Sequence, residues 1–486
     1  MHFMNRVNLG HIIHVVSISV IFESLFMLSC IPVAWMYHEA VVWPLFESFL
    51  VTFGISAASI LLTRRFNTEH SVKDSYVSVV FTWLFISLFG TLPFMFTGAI
   101  PAFHDAFFET VSGFTTTGSS ILVDIEALPK SVLLWRAETH WLGGMGIIVL
   151  VIALLPYMKI GGQQMIMAEG GFFSSEKIKA RTIDVAKRMW FIYLILTVAE
   201  IIVLCIAKMP LFDAVCHSFA TIATGGFSTK NSSIIDYSPA IQYIIIVFMI
   251  LSGMNFTLHY LLFHGKFKKV FSNEEMKTFL SIIIIASLVV TVVLRKHTHL
   301  AWEKTFRDSL FQVASLITAT GFVSSNYEIW PEATKMILLL VMLTGACAGS
   351  TGGGIKVARY VLVYKNLRQH IRKMIRPNSV QVARYNGQPF SPDITAGITT
   401  FIFIYYMTIV VGTLFMSLTG LDTVTASSSV ITTLGGIGPG FNNVGPIDNF
   451  YALSAVGKYY LSFNMILGRL EILSVLIFLV PSFYRR

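Results

Sequence analysis

Four aspartates are each followed, twelve or thirteen residues later, by a glycine that closes a short Thr/Ser-rich apolar stretch. The pairs are Asp105 with Gly118, Asp213 with Gly225, Asp308 with Gly321, and Asp422 with Gly435. The stretches read SGFTTTG, FATIATG, SLITATG and SSVITTLG. The chemistry they offer is that of the main chain. Glycine permits backbone angles forbidden to other residues, so carbonyl oxygens of its loop can point inward. Such oxygens can replace the hydration shell of a dehydrated ion.

An Asp-to-Gly segment is too short to cross a membrane. It holds about three helical turns at roughly 1.5 Å per residue, followed by a loop. Asp105, Asp213, Asp308 and Asp422 read as N-caps at the positive ends of these helices. The opposite ends then aim carbonyls at a common centre, which favours a cation there. One such segment alone would read as an ordinary re-entrant turn. Four, each between long apolar runs, point to four walls around one pore.

The elements that must position them are membrane helices. Mean hydropathy is +0.70, and only 13% of residues are charged, which excludes an ordinary soluble domain. The apolar runs are continuous, which excludes a β-barrel. A bilayer core of roughly 30 Å needs about 20 apolar residues per helix. Such runs are expected near 11–36 and 41–63, and then in four units of span, short element and span. The spans of the units lie near 75–98 and 132–157, 187–208 and 239–263, 278–295 and 333 onward, and 394–419 and 455–482. The first run is too long for a signal-peptide core. The fold class is therefore all-α and polytopic, with pseudo-fourfold repeats. The expected division is 1–70 for two N-terminal spans, then 71–170, 171–270, 271–385 and 386–486 for the repeats.

Net charge is +9, yet its distribution argues against nucleic acid. Of 35 Lys and Arg, 21 crowd into Arg64 to Lys73, Lys159 to Arg188, Lys266 to Lys277 and Lys356 to Arg384. This bias places those loops and both termini in the cytoplasm, and the four Asp–Gly elements outside. Cys30, Cys205, Cys216 and Cys347 fit neither a disulfide framework nor a metal cluster and read as small buried residues.

These residues resemble the Trk/Ktr/HKT superfamily of potassium transport proteins, most of all the bacterial Trk membrane subunits, over nearly the whole chain. The resemblance implies K+ as the ion, in a filter built from the backbone of four loops. The matching positions are Thr116, Thr117 and Gly118; Ala223, Thr224 and Gly225; Ala319, Thr320 and Gly321; and Thr433, Leu434 and Gly435. None reads TVGYG, so these are not repeats of a tetrameric potassium channel. In the family a Ser at the first glycine goes with sodium selectivity, so Gly118 favours potassium. The resemblance also implies a homodimer in the bacterial cytoplasmic membrane, seated on cytosolic nucleotide-binding (RCK-type) regulatory subunits. Lys159 to Arg188 and Lys365 to Arg384 are candidate docking surfaces, or anchors to anionic lipid.

The third unit departs from its siblings. From Glu332 to Thr344 is too short a helix to cross the hydrocarbon. It then meets Gly345, Ala346, Cys347, Ala348, Gly349, Ser350, Thr351, Gly352, Gly353, Gly354, Ile355 and Lys356. The helix must break mid-membrane, where irregular backbone survives only inside protein or beside water. A Gly/Ser/Thr segment under a filter is a candidate gate, and the family carries an obstructing loop of this composition at the matching place. The alternative is a packing kink. The segment misses the phosphate-loop pattern because Ile355 stands where Lys is required. GGIGPG, from Gly435 to Gly440, misses the dinucleotide fingerprint at Phe441.

Arg469 lies near the middle of the last span. A central membrane Arg costs about 2.5–3.5 kcal/mol on insertion scales, so it must face protein or pore. The family has an Arg here that points into the pore below the filter; the alternative is a lock between helices. Glu23, Glu200, Asn255 and His259 read as paired packing residues or proton-coupling groups, and Glu109 as a brace for the filter. His140 lacks a second ligand at helical spacing for a metal. The leading function is channel-like potassium uptake. A proton- or sodium-coupled symporter is the alternative, and a polytopic membrane enzyme or a sensor without flux is more remote.

Overall fold

The computed structural model describes residues 8–64, 72–154, 178–298, 300–377 and 383–480. The basic loop Lys159 to Lys177 and both chain ends lie outside them. Among the described residues, the regular structure is helical apart from one hairpin, Arg384–Tyr385 with Gln388–Pro389.

Two helices, Leu9–Met36 and Val42–Thr63, come first and pack on each other. Four units of span, short helix and second span follow. The short helices are Phe103–Phe114, Leu211–Ile222, Trp302–Ile317 and Thr423–Gly435. Most of their residues are buried, so they form the centre of the molecule.

The two spans of each unit differ in character. Every first span is long and apolar enough to cross a bilayer: Tyr76–Phe96, Ala186–Ile206, Glu274–His297 and Asp393–Leu418. Their outward faces leave large apolar groups exposed, among them Ile284, Ile285, Val410, Val411 and Leu414, as suits contact with lipid. Among the described residues, the second spans of the second, third and fourth units are broken, whereas that of the first is one continuous helix. Lys130–Leu154 carries buried Arg136, Glu138 and His140. Pro239–Gly253 bends by 101° into Phe256–Phe263. Glu332–Met342 and Val357–Ile375 flank the expected break. Ala455–Arg469 stops short and resumes at Ile472.

Two spans expected to be continuous are thus broken. At 239–263, Asn255 leaves the helix and caps the next one through the Thr257 N–H (2.8 Å). At 455–482, Glu471 takes φ +59°, a left-handed conformation that ends helical bonding. Broken backbone is tolerated on this face because it is buried against the centre, away from lipid.

Candidate pore and gate

Each short helix ends the same way. One residue turns left-handed, and the next N–H reaches back five residues. Thr116 has φ +55°, Thr224 +57°, Ala319 +59° and Gly436 +65°. The following N–H groups donate to the carbonyls of Ser112 (from Thr117, 2.9 Å), Ala220 (from Gly225, 2.7 Å), Ser315 (from Thr320, 2.8 Å) and Thr432 (from Ile437, 2.9 Å). This is the Schellman arrangement, which usually places Gly at the left-handed position. A second left-handed residue follows, always glycine: Gly118 (+83°), Gly226 (+82°), Gly321 (+77°) and Gly438 (+99°).

The equivalent triplets are therefore Thr116–Gly118, Thr224–Gly226, Ala319–Gly321 and Gly436–Gly438. This shifts two of the expected loops. Gly225 is the middle residue of its triplet, and Ala223 is the helix C-cap. Thr433, Leu434 and Gly435 still belong to the helix Thr423–Gly435. The fourth loop is the sequence Gly-Ile-Gly that follows it.

The triplets close a ring. A Cβ built at Gly118 would overlap the carbonyl oxygen of Gly225; one at Gly226, that of Thr320; one at Gly321, that of Ile437. One at Gly438 would come within 2.9 Å of the carbonyl oxygen of Thr117. Every glycine thus abuts the middle carbonyl of the next unit, and the fourth returns to the first.

Polar residues brace the chain beyond each triplet. Glu109 accepts from the Ile121 N–H (2.9 Å) and Ser120 Oγ (2.9 Å), and pairs with Arg136 (2.7 Å). His217 Nε2 meets Ser228 Oγ at 2.9 Å. Gln312, with its amide turned, accepts from the Ser324 (2.9 Å) and Ser325 (3.2 Å) N–H groups. Ser428 Oγ accepts from the Phe441 N–H at 3.1 Å. His140 lies buried behind the second triplet, between the Gly113 carbonyl (2.8 Å from Nδ1) and the Phe227 N–H (3.2 Å from Nε2). It bridges the end of the first short helix to the chain just after the second triplet, and no group of three or more metal-ligating side chains occurs among the described residues.

The expected caps are placed differently. Asp422 alone is an N-cap, accepting from the Val424 and Thr425 N–H groups, both at 3.1 Å. Asp105 and Asp213 are third residues of their helices, and Asp308 lies two turns inside Trp302–Ile317. Ala102, Pro210 and Ala301 occupy the cap positions and make no side-chain cap bond. Asp105 instead pairs with Lys458 of the fourth unit (2.5 Å), and Asp213 accepts from Thr229 Oγ1 (2.7 Å).

The segment Gly345–Lys356 lies across the ends of these helices. Thr351 Oγ1 donates to the Ile222 carbonyl at 3.0 Å. A Cβ at Gly352 would come 2.6 Å from the Thr318 carbonyl oxygen, and one at Gly353 would overlap that of Gly435. The loop tip therefore covers the C-terminal ends of the second, third and fourth short helices. Arg469 closes the remaining side, donating to the carbonyls of Thr351 (2.7 Å) and Gly143 (3.0 Å). Gly143 itself lies hard against the Phe114 carbonyl, at the end of the first short helix. Lys356 Nζ folds back onto the Gly352 carbonyl. Glu471 pairs with Arg359 (2.6 Å) and not with Arg469. Around the loop, Cys347 donates its N–H to the Gly253 carbonyl (3.0 Å), and Gly349 accepts from the Phe256 N–H (3.1 Å) at the bend of the second unit.

Of the other intramembrane polar residues, His259 is paired with the Leu251 carbonyl (2.8 Å), whereas Glu200 is buried near the second short helix with no hydrogen bond to its carboxylate among the described residues. Glu23 is buried, and its carboxylate has no hydrogen-bond partner among the described residues.

Sequence reasoning missed Gly226, Gly436, Ile437 and Gly438. The signal was present, since counting from 105 to 118, 213 to 226 and 308 to 321 gives one spacing, and the same spacing back from Gly438 reaches Thr425. Lys458 and His217 carried no comparable signal.

A family model described as a cation transport protein, TrkH, matches residues 44–483. The Trk system potassium uptake protein TrkH of Salmonella typhimurium is 36% identical over 93% of this chain and 94% of that protein. The Trk system potassium uptake protein TrkG of Escherichia coli is 31% identical over 99% of this chain and its own full length. Among solved structures, the potassium transporter TrkH from Vibrio parahaemolyticus matches with a TM-score of 0.89 at 34% identity, covering 98% of this chain and 99% of that one.

Proposed function

The chain belongs to the TrkH family of cation transport proteins, and we propose that it takes up potassium through a single central pore whose filter is the ring of four triplets. It is a membrane transporter and not an enzyme. Main-chain oxygens of Thr116–Gly118, Thr224–Gly226, Ala319–Gly321 and Gly436–Gly438 stand in for water around K+. K+ is cargo here, not a resident cofactor. The observation that carries this reading is the closed cycle in which each filter glycine touches the middle carbonyl of the next loop.

Gly345–Lys356 is the gate. Its tip covers the helix ends below the filter, where their carbonyls would otherwise face the passing ion. Arg469 fastens that tip and places a positive charge beside the path. The repeats divide near 71–170, 171–270, 271–385 and 386–486. The basic loops and both termini face the cytoplasm of a bacterial inner membrane. The protein works as a homodimer with a cytosolic nucleotide-binding (RCK-type) subunit, since this chain carries no nucleotide motif of its own.

An inside-negative potential drives entry without a coupling ion, at about 2.3 kcal/mol per charge per 100 mV. The test is rubidium uptake by purified protein in vesicles under such a potential. Folded protein without uptake overturns the transport reading. A reversal potential that tracks the proton gradient at fixed potassium overturns uncoupled conduction in favour of symport.

A further inference from the structure

One carboxylate holds both ends of the gate segment. Glu275 is buried, 3% exposed, in the first turn of Glu274–His297. Its Oε1 accepts the N–H of Ala348 at 2.6 Å and that of Ala358 at 3.2 Å. Ala348 enters the loop tip, and Ala358 lies in the first turn of the helix that leaves it. A buried carboxylate needs donors, and charge-assisted bonds to backbone N–H groups are among the stronger ones. The tip between these anchors, Thr351–Gly353, is therefore a loop with pinned ends.

The same helical turn also reaches the hairpin 384–389. The side chain of Tyr385 comes within hydrogen-bonding reach of Glu275. Glu274 pairs with Lys365 and donates its N–H to Asn386 Oδ1 at 2.8 Å.

Resting on the reading of Gly345–Lys356 as the gate, we infer that Glu275 is its latch: a positioning residue that fixes both ends of the closed loop and links them to the hairpin. A regulatory partner that displaces the hairpin acts on the gate through this turn. Neither the loop composition nor Arg469 supplies that connection.

The test uses the full chain in proteoliposomes and reads two quantities. One is rubidium uptake. The other is the rate at which a maleimide modifies Cys347, which is fully buried next to the Ala348 anchor. Glu275→Ala should raise both severalfold. Glu275→Gln, whose amide oxygen still accepts both N–H groups, should restore slow modification and low uptake. An unchanged Cys347 rate in Glu275→Ala overturns the latch. Faster modification with unchanged uptake supports the latch and overturns the gate reading. Where Glu275→Ala does not fold, Glu275→Asp, which withdraws the carboxylate by one methylene, is read in the same way.

Discussion

The α-carbon of Gly118 lies against the carbonyl oxygen of Gly225, leaving no room for a Cβ between the first and second loops of the proposed filter. Its left-handed φ of +83° adds a second penalty for any side chain. Gly118→Ser must therefore displace the neighbouring carbonyl. We expect rubidium-over-sodium preference to fall by about tenfold or more, equivalent to roughly 1.4 kcal/mol of lost discrimination. Side-by-side rubidium and sodium flux measures it. Unchanged preference would remove the first loop from the filter.

Arg469 ties the Thr351 carbonyl of the proposed gate to the Gly143 carbonyl of helix Lys130–Leu154, a bridge that its planar fork spans and a single lysine ammonium does not. If the tether matters more than the charge, Arg469→Lys and Arg469→Ala should both raise basal rubidium uptake severalfold. Flux that rises only in Arg469→Ala would assign the effect to electrostatic repulsion.

Lys458 and Asp105 join the last unit to the first and so close the ring of units mechanically. Lys458 is buried, and its Nζ also donates to the Tyr451 carbonyl at 2.8 Å. Removing one partner of a buried pair strands the other, at a cost of about 3–5 kcal/mol. Lys458→Met should lower the thermal midpoint in detergent, and adding Asp105→Asn should recover part of the loss. Strictly additive losses would show that the pair is not coupled.

Asp422 caps the fourth short helix, and replacing it by Ala should cost about 0.5–2 kcal/mol. Hydrogen bonds from Thr425, side chain and backbone, with help from Asn442 and Val424, hold its carboxyl below the usual aspartate range. A folded pKa below the unfolded one stabilises at pH above about 4. That contribution fades as pH falls through the lowered value. Asp422→Asn keeps a good cap, so it should match the wild type near neutrality and lose less stability in acid. Parallel melting curves from pH 7 to pH 3 would refute the assignment.

The sequence by itself determined the class of molecule, the four short helices and the break after Met342. Those are local properties: runs of apolar residues long enough for lipid, a helix too short to cross it, and a Gly/Ser/Thr segment no helix would hold. The tertiary structure decided the register of the four left-handed triplets and where each aspartate sits in its helix. Thr116, Thr224 and Ala319 carry positive φ where glycine would be the local choice. Their loops are interlocked with neighbours more than 90 residues away, so the strain is borne by contacts that no local pattern encodes. The same interlocking moved the second and fourth loops from Gly225 and Gly435 to Gly226 and Gly438. At the second loop the spacing of thirteen that holds from Asp105 to Gly118 reaches Gly226 from Asp213, and only the choice between adjacent glycines was missed; at the fourth, Asp422 is not at the position that Asp105 and Asp213 take in their helices. Trp302–Ile317 begins two turns before Asp308, whereas Thr423–Gly435 begins one residue after Asp422.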